Sequence, residues 1–142
     1  MVIDHDDAND VTQEVFIKVH KAIDGFREDS QLYTWIYRIA TNECLTFLAR
    51  KKRQALIRLE DATKELSAKL DSSAHISGDE IQIKLQKALL TLPDKQRLVF
   101  NMKYFDDLSY EEIAAITKTS VGALKASFHH AVTKIEAILK ND

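Results

Sequence analysis

Tyr33, Trp35 and Tyr37 precede the basic run Arg50-Lys51-Lys52-Arg53 on one stretch that reads as continuous helix from Leu32. Aromatic rings and cations on a single element are what single-stranded nucleic acid uses, the rings for unstacked bases and the cations for phosphate. The same residues also suit a plainer reading. Trp35 and Ile39 lie four apart and can both be core, and a basic run at a helix C-terminus complements the helix dipole. A second constellation lies near the other end. Ser109 and Glu112 form a Ser-x-x-Glu capping box that opens a short helix through Ile113, Ala114 and Ile116. The turn Thr117-Lys118-Thr119 leads to Ser120, which can cap a longer helix carrying Val121, Leu124, Phe128, Ala131, Val132, Ile135 and Leu139. A short capped helix, a tight turn and a longer capped helix make a helix-turn-helix pattern. It sets Ser120, Ala123, Lys125 and Ser127 off the core face, at the depth of a major groove. A small helical bundle with short connections fits these residues as well.

The elements that must position these groups are helices. Three glycines and one proline in 142 residues leave too few punctuators for a sandwich, a barrel or a doubly wound sheet. The expected fold is all-α: two small helical domains joined by a linker, the second a four-helix domain. Residues 1–54 form the first domain, 55–78 the linker and 79–142 the second domain. In the first, Asp6 or Asp7 can cap a helix whose Val11, Val15, Val19 and Ile23 make an apolar stripe up to Gly25. A loop over residues 25–31 follows, with Asp29 or Ser30 able to cap the next helix. The linker carries Leu56, Leu59, Leu66 and Leu70, then a break over residues 71–78 that Gly78 closes. In the second domain a helix through Ile81, Leu85, Leu89 and Leu92 stops before Pro93, which begins the next helix.

Charge is sorted along the chain rather than absent. The net charge is −2, yet the first 14 residues hold five acids and no lysine or arginine, while residues 50–58 hold five basic residues and no acid. No apolar run approaches the length of a membrane span, so no direct membrane insertion is expected. A single cysteine, Cys44, cannot form an internal disulfide and points to a reducing cytoplasm. Adjacent His129 and His130 face different sides of a helix and make no metal pair. No nucleophile–base set, phosphate loop or metal-ligand spacing appears, so neither a cofactor nor enzyme activity is expected.

Longer blocks carry a resemblance. Asp7-Ala8-Asn9-Asp10-Val11-Thr12-Gln13-Glu14-Val15-Phe16, Phe26-Arg27-Glu28-Asp29-Ser30 and Thr34-Trp35-Ile36-Tyr37-Arg38-Ile39-Ala40-Thr41-Asn42 resemble the second conserved region of bacterial sigma factors. Leu92-Pro93-Asp94-Lys95-Gln96-Arg97-Leu98-Val99-Phe100, Leu108-Ser109-Tyr110-Glu111-Glu112-Ile113-Ala114 and Ser120-Val121-Gly122-Ala123-Leu124-Lys125 resemble the fourth. Both regions, in this order and joined by a linker, are similar to the small extracytoplasmic-function (ECF) type of the sigma-70 family.

The resemblance implies a role for each block. Asp10, Gln13, Glu14 and Phe16 would dock on the clamp helices of the β′ subunit of core RNA polymerase. Phe26, Arg27 and Ser30 of the loop would capture a flipped base, and Tyr33, Trp35, Arg38 and Asn42 would hold the melted −10 promoter DNA, with Arg50, Lys51 and Arg53 on phosphate. Ser120, Ala123, Lys125, Ser127 and His130 would read the −35 element, with Gly122 permitting close approach. The polymerase β flap would hold the same domain, and an anti-sigma factor is the expected regulator. Three departures stand out. The family's helix ahead of the first motif is expected to be lacking. Lys118 stands where the turn often has glycine, at a cost of about 1 kcal/mol if its backbone is left-handed. Ser127, His130 and Val132 replace arginines, so the phosphate grip of the last helix should be weaker. The competing expectation is a helix-turn-helix regulator that binds duplex DNA alone.

Overall fold

Asp4 sets where the first helix begins. Its carboxylate accepts the Asp6 N–H at 2.9 Å, so α1 (His5–Ala22) starts ahead of the expected caps. Asp6 and Asp7 instead occupy the first turn, where the helix dipole favours acids. A computed structural model describes residues 1–2, 4–58, 68 and 80–141. Most of the expected linker, with Leu59, Leu66, Leu70 and the break over residues 71–78, lies outside the described residues.

α1 ends in a short 3-10 turn (Ile23–Gly25), and the loop beyond it holds Glu28 in the left-handed region at φ 58°. α2 (Leu32–Arg58) follows. Neither Asp29 nor Ser30 stands directly ahead of it. That place is taken by Gln31, whose carbonyl accepts the Trp35 N–H at 3.1 Å. α1 lies against α2 through buried Val11 and Leu48, and the ion pairs Lys18–Glu43 and Lys51–Asp7 clasp the two helices.

Four helices make the second half: α3 (Glu80–Leu90), α4 (Asp94–Tyr104), α5 (Tyr110–Thr117) and α6 (Val121–Asn141). Pro93 stands as the residue before α4, where its missing N–H costs nothing. Two apolar clusters hold this half. Ala88, Leu89, Leu92, Phe100, Ala131 and Ile135 join α3, α4 and α6, with Phe100 stacked on Phe128 at 5.7 Å. Leu98, Val99, Met102, Leu108, Ile113, Ile116 and Leu124 join α4, α5 and α6. No strand occurs among the described residues.

The two halves touch directly. α2 packs on α5, and its Tyr37 and Leu45 lie against the second cluster. One side of α2 therefore meets α1 and another meets α5, which is why its apolar residues are spread round the helix rather than gathered in one stripe.

Candidate functional site

Local chemistry fixes the helix-turn-helix. Ser109 Oγ accepts the Glu112 N–H at 3.1 Å while Glu112 Oε2 accepts the Ser109 N–H at 2.7 Å, closing the capping box. α5 stops at Lys118, which is left-handed (φ 54°, ψ 38°) and donates its N–H to the Ala114 carbonyl at 2.9 Å. The strain expected of a lysine at this turn is therefore present. Ser120 Oγ then accepts the Ala123 N–H at 3.3 Å at the start of α6. Ile113, Ile116 and Leu124 are fully buried between the two helices and hold their angle.

α6 distributes the expected groove-facing residues unevenly. At about 100° per residue, Ser120, Ala123, Ser127 and His130 share one flank of the helix. All are exposed except Ser127, which is half-buried towards α2. Lys125 lies on the other flank, its Nζ 5.8 Å from the centroid of the Tyr110 ring. Lys103 approaches the same ring at 5.2 Å. Between the flanks runs an outward stripe of Gly122, expected to permit close approach, with Ala126 and His129, which the expected groove-facing set lacks; all three are exposed. Its signal was available in the 3.6-residue period once Leu124, Ala131 and Ile135 were taken as the core side. A Cβ added at Gly122 would meet nothing within 4 Å, so no packing inside the chain requires glycine there.

On α2, Trp35, Arg38, Asn42 and Arg53 fall on one stripe by the same geometry. Trp35 is half-buried, with the Phe26 ring of the preceding loop tilted against it at 5.1 Å. Arg27 is exposed and Ser30 half-buried in that loop. Tyr33 is 52% exposed but lies across the helix from Trp35, beside Tyr37 at 5.5 Å. Lys51 shares Tyr33's side and is held by Asp7. Arg38 donates from a terminal nitrogen to the Ala115 carbonyl of α5 at 2.6 Å.

On α1, Asp10, Gln13 and Glu14 line an open groove of about 550 Å³ against Thr46, Phe47 and Arg50 of α2. Phe16 is 70% exposed but points away from this groove, and Ile17 stands in its place. Arg50, expected on phosphate, lies with the acidic set, its guanidinium 5.7 Å from the Phe47 ring centroid.

Elsewhere, Cys44 is half-buried and its thiol is pushed up by that burial. Among the described residues, no group of three His, Cys, Asp or Glu is placed to hold a metal, and no helix is long and apolar enough to cross a membrane.

A helix-turn-helix domain joined to a helical domain with an aromatic-basic stripe defines a two-domain, DNA-engaging transcription factor. Residues 1–54 match the family model Sigma-70 region 2, and residues 82–135 match Sigma-70, region 4. The ECF RNA polymerase sigma-E factor of Escherichia coli K12 is 34% identical over 141 residues, covering 92% of this chain and 72% of that protein. The RNA polymerase sigma-H factor of Pseudomonas aeruginosa is 32% identical over 150 residues, covering 98% and 76%. Among solved structures, the sigma factor RpoE in complex with the anti-sigma factor NepR from Bartonella quintana superposes at a TM-score of 0.70 and 23% identity, covering 99% of this chain and 86% of that one. CnrH in complex with the cytosolic domain of CnrY superposes at 0.65 and 25% identity, covering 99% and 75%. The chain belongs to the sigma-70 family, as an ECF sigma factor with regions 2 and 4. It directs RNA polymerase to promoters, which sets aside a regulator that acts on duplex DNA alone. The family consists of transcription factors that are not enzymes.

Proposed function

We propose that the chain splits this task between residues 1–54 and 79–142, with residues 55–78 as the connection. The groove of Asp10, Gln13, Glu14 and Ile17 takes the β′ clamp helices of core polymerase, and Phe16 adds an apolar contact outside it. Exposed acids suit a partner surface bearing arginine. The loop with Phe26, Arg27 and Ser30 and the stripe of Trp35, Arg38, Asn42 and Arg53 hold the melted −10 strand, because bases that lose their stack need new faces. Tyr33 and Arg50 sit off that stripe, and Lys51 reaches phosphate only by giving up Asp7. α6 reads the −35 element with Ser120, Ala123, Ser127 and His130 on one flank and Lys125 on the other. The β flap grips the apolar exterior of the same half.

The chain makes and breaks no bonds itself, works in the cytoplasm beside the polymerase, and is held in reserve by an anti-sigma factor. RpoE and CnrH, the similar structures, are both held by a partner chain, which supports that last role. The observation that carries the whole reading is the α2 stripe with Phe26 closing on Trp35, since a duplex-only regulator has no use for it. Retention of core polymerase by the immobilised chain tests it. The chain should retain the enzyme, and the double substitution Asp10→Ala with Glu14→Ala should lower retention about tenfold while leaving the helix content unchanged. Full retention by the double variant would refute the docking site.

A further inference from the structure

His129 and His130 stand side by side on the exposed surface of α6, their ring centroids 6.1 Å apart. The core side of this helix is set by buried Leu124, Ala131 and Ile135. At about 100° per residue, the direction opposite that core falls between the two histidines, about 40° from His129 and about 60° from His130. They therefore diverge on either side of the outward line, as two prongs. His129 lies about 12 Å along the axis from Val121, past the first turns that reach base edges and level with the walls of the groove. A major groove is about 12 Å wide, so prongs diverging at this height approach the two phosphate backbones rather than the bases.

The surroundings of the pair are cationic. Residues 120–135 include no aspartate or glutamate. Lys125 precedes His129 by four residues and Lys134 follows His130 by four, so each imidazole has an ammonium one turn away. Glu136, the next acid along the helix, is paired with Lys140 at 3.6 Å. α3 and α4 pack on α6 through Ala88, Leu89, Leu92 and Phe100, and α5 packs through Ile113 and Ile116. From those neighbours, Lys103 and Tyr110 meet Lys125 at the Tyr110 ring, and Lys95 lines a cleft with Ser127. Among the described residues, neither histidine has a carboxylate partner. An imidazolium here has cations about it and no anion, and a DNA phosphate is the anion that α6 is placed to meet.

We infer, resting on the functional reading above, that His129 and His130 form a two-pronged phosphate grip that engages in its protonated state, so that −35 binding takes up protons. Histidine is the side chain whose charge ordinarily changes between about pH 5 and pH 8. Neutral imidazole offers a phosphate one N–H, whereas imidazolium offers two N–H donors and a charge. A phosphate stabilises the charged form, so the bound protein holds these protons more tightly than the free protein. Binding is therefore strongest at low pH and weakens as pH rises through that range. An arginine at either place would stay charged throughout.

The probe is a promoter duplex that the holoenzyme, core polymerase with the full chain, selects from a random-sequence pool. Its dissociation constant is read by fluorescence anisotropy between pH 6 and pH 8. The double variant His129→Gln with His130→Gln is the comparator, because both residues are exposed and the ratio of the two proteins cancels the other titrating groups of the assembly. That ratio should favour the wild type about tenfold at pH 6 and fall close to unity at pH 8. The salt dependence of wild-type affinity should be steeper at pH 6 by about one to two phosphate contacts, and the comparator should show no such change. His129→Lys with His130→Lys, charged at both ends of the range, should keep at pH 8 the affinity that the wild type has at pH 6. A ratio that stays flat with pH, or a wild-type profile from the single variant His129→Gln, would overturn the proton-coupled pair. Failure of the holoenzyme to select any duplex would refute the functional reading on which the pair rests.

Discussion

Lys118→Gly should stabilise the protein. Lys118 is left-handed at φ 54°, is exposed, and donates its backbone N–H to the Ala114 carbonyl at 2.9 Å. Glycine keeps that hydrogen bond and removes the clash of Cβ with the following carbonyl, a strain of about 1–2 kcal/mol. The unfolded chain gains freedom with glycine, which offsets about 0.4–1 kcal/mol. The net gain is then about 0.5–1 kcal/mol. At a urea dependence of about 2 kcal/mol per molar, the unfolding midpoint rises by about 0.3–0.5 M. Lys118→Ala is the control, because alanine keeps Cβ and loses only a solvated side chain, so its midpoint should stay at the wild-type value. Paired urea melts followed by circular dichroism give the answer. A midpoint for Lys118→Gly at or below that of Lys118→Ala would show that the turn is not strained, and the left-handed reading would fail.

Three further outcomes are expected. Lys125→Ala should weaken promoter binding by the holoenzyme and reduce the slope of affinity against salt by about one phosphate contact; an unchanged slope in a salt titration would remove Lys125 from the DNA set. Trp35→Ala should lower open-complex yield more than closed-complex formation, and a pre-melted template should show the same deficit. Equal yield on that template would make Trp35 a packing residue alone. Burial, reinforced by the hydrogen bond to Asp106, raises the Tyr37 hydroxyl above its usual value of 10. The folded state therefore holds that proton more tightly than the unfolded one. Its contribution is complete below about pH 10 and fades as pH rises further. Melting temperature should fall in that range, and Tyr37→Phe should flatten the fall; parallel pH profiles for the two proteins would contradict this.

What the sequence disclosed was local chemistry. Ser109 and Glu112 are three residues apart and cap each other whatever surrounds them, so the start of α5 was legible, as was the entry of Pro93 before α4. Where several residues compete for one role, proximity alone did not decide. Asp4, Asp6 and Asp7 can all cap, and the winner is the one whose carboxylate reaches a free N–H. Lys51 is expected on phosphate and Arg38 on the melted strand, but the partner of a basic residue is set by the fold. Lys51 finds Asp7, 44 residues away, and Arg38 finds the Ala115 carbonyl, 77 away. Such pairings leave no periodic trace. Phe16 and Ile17 differ instead by one 100° step on α1, and that step decides which side chain enters the groove.

Permanganate reactivity of thymines on a supercoiled promoter tests the central claim most directly, because only unpaired thymines react. With core polymerase and this chain together, thymines of the −10 element should become reactive, and with either component alone they should stay silent. Duplex protection by the chain alone at the same concentration, or silent thymines with both present, would contradict it.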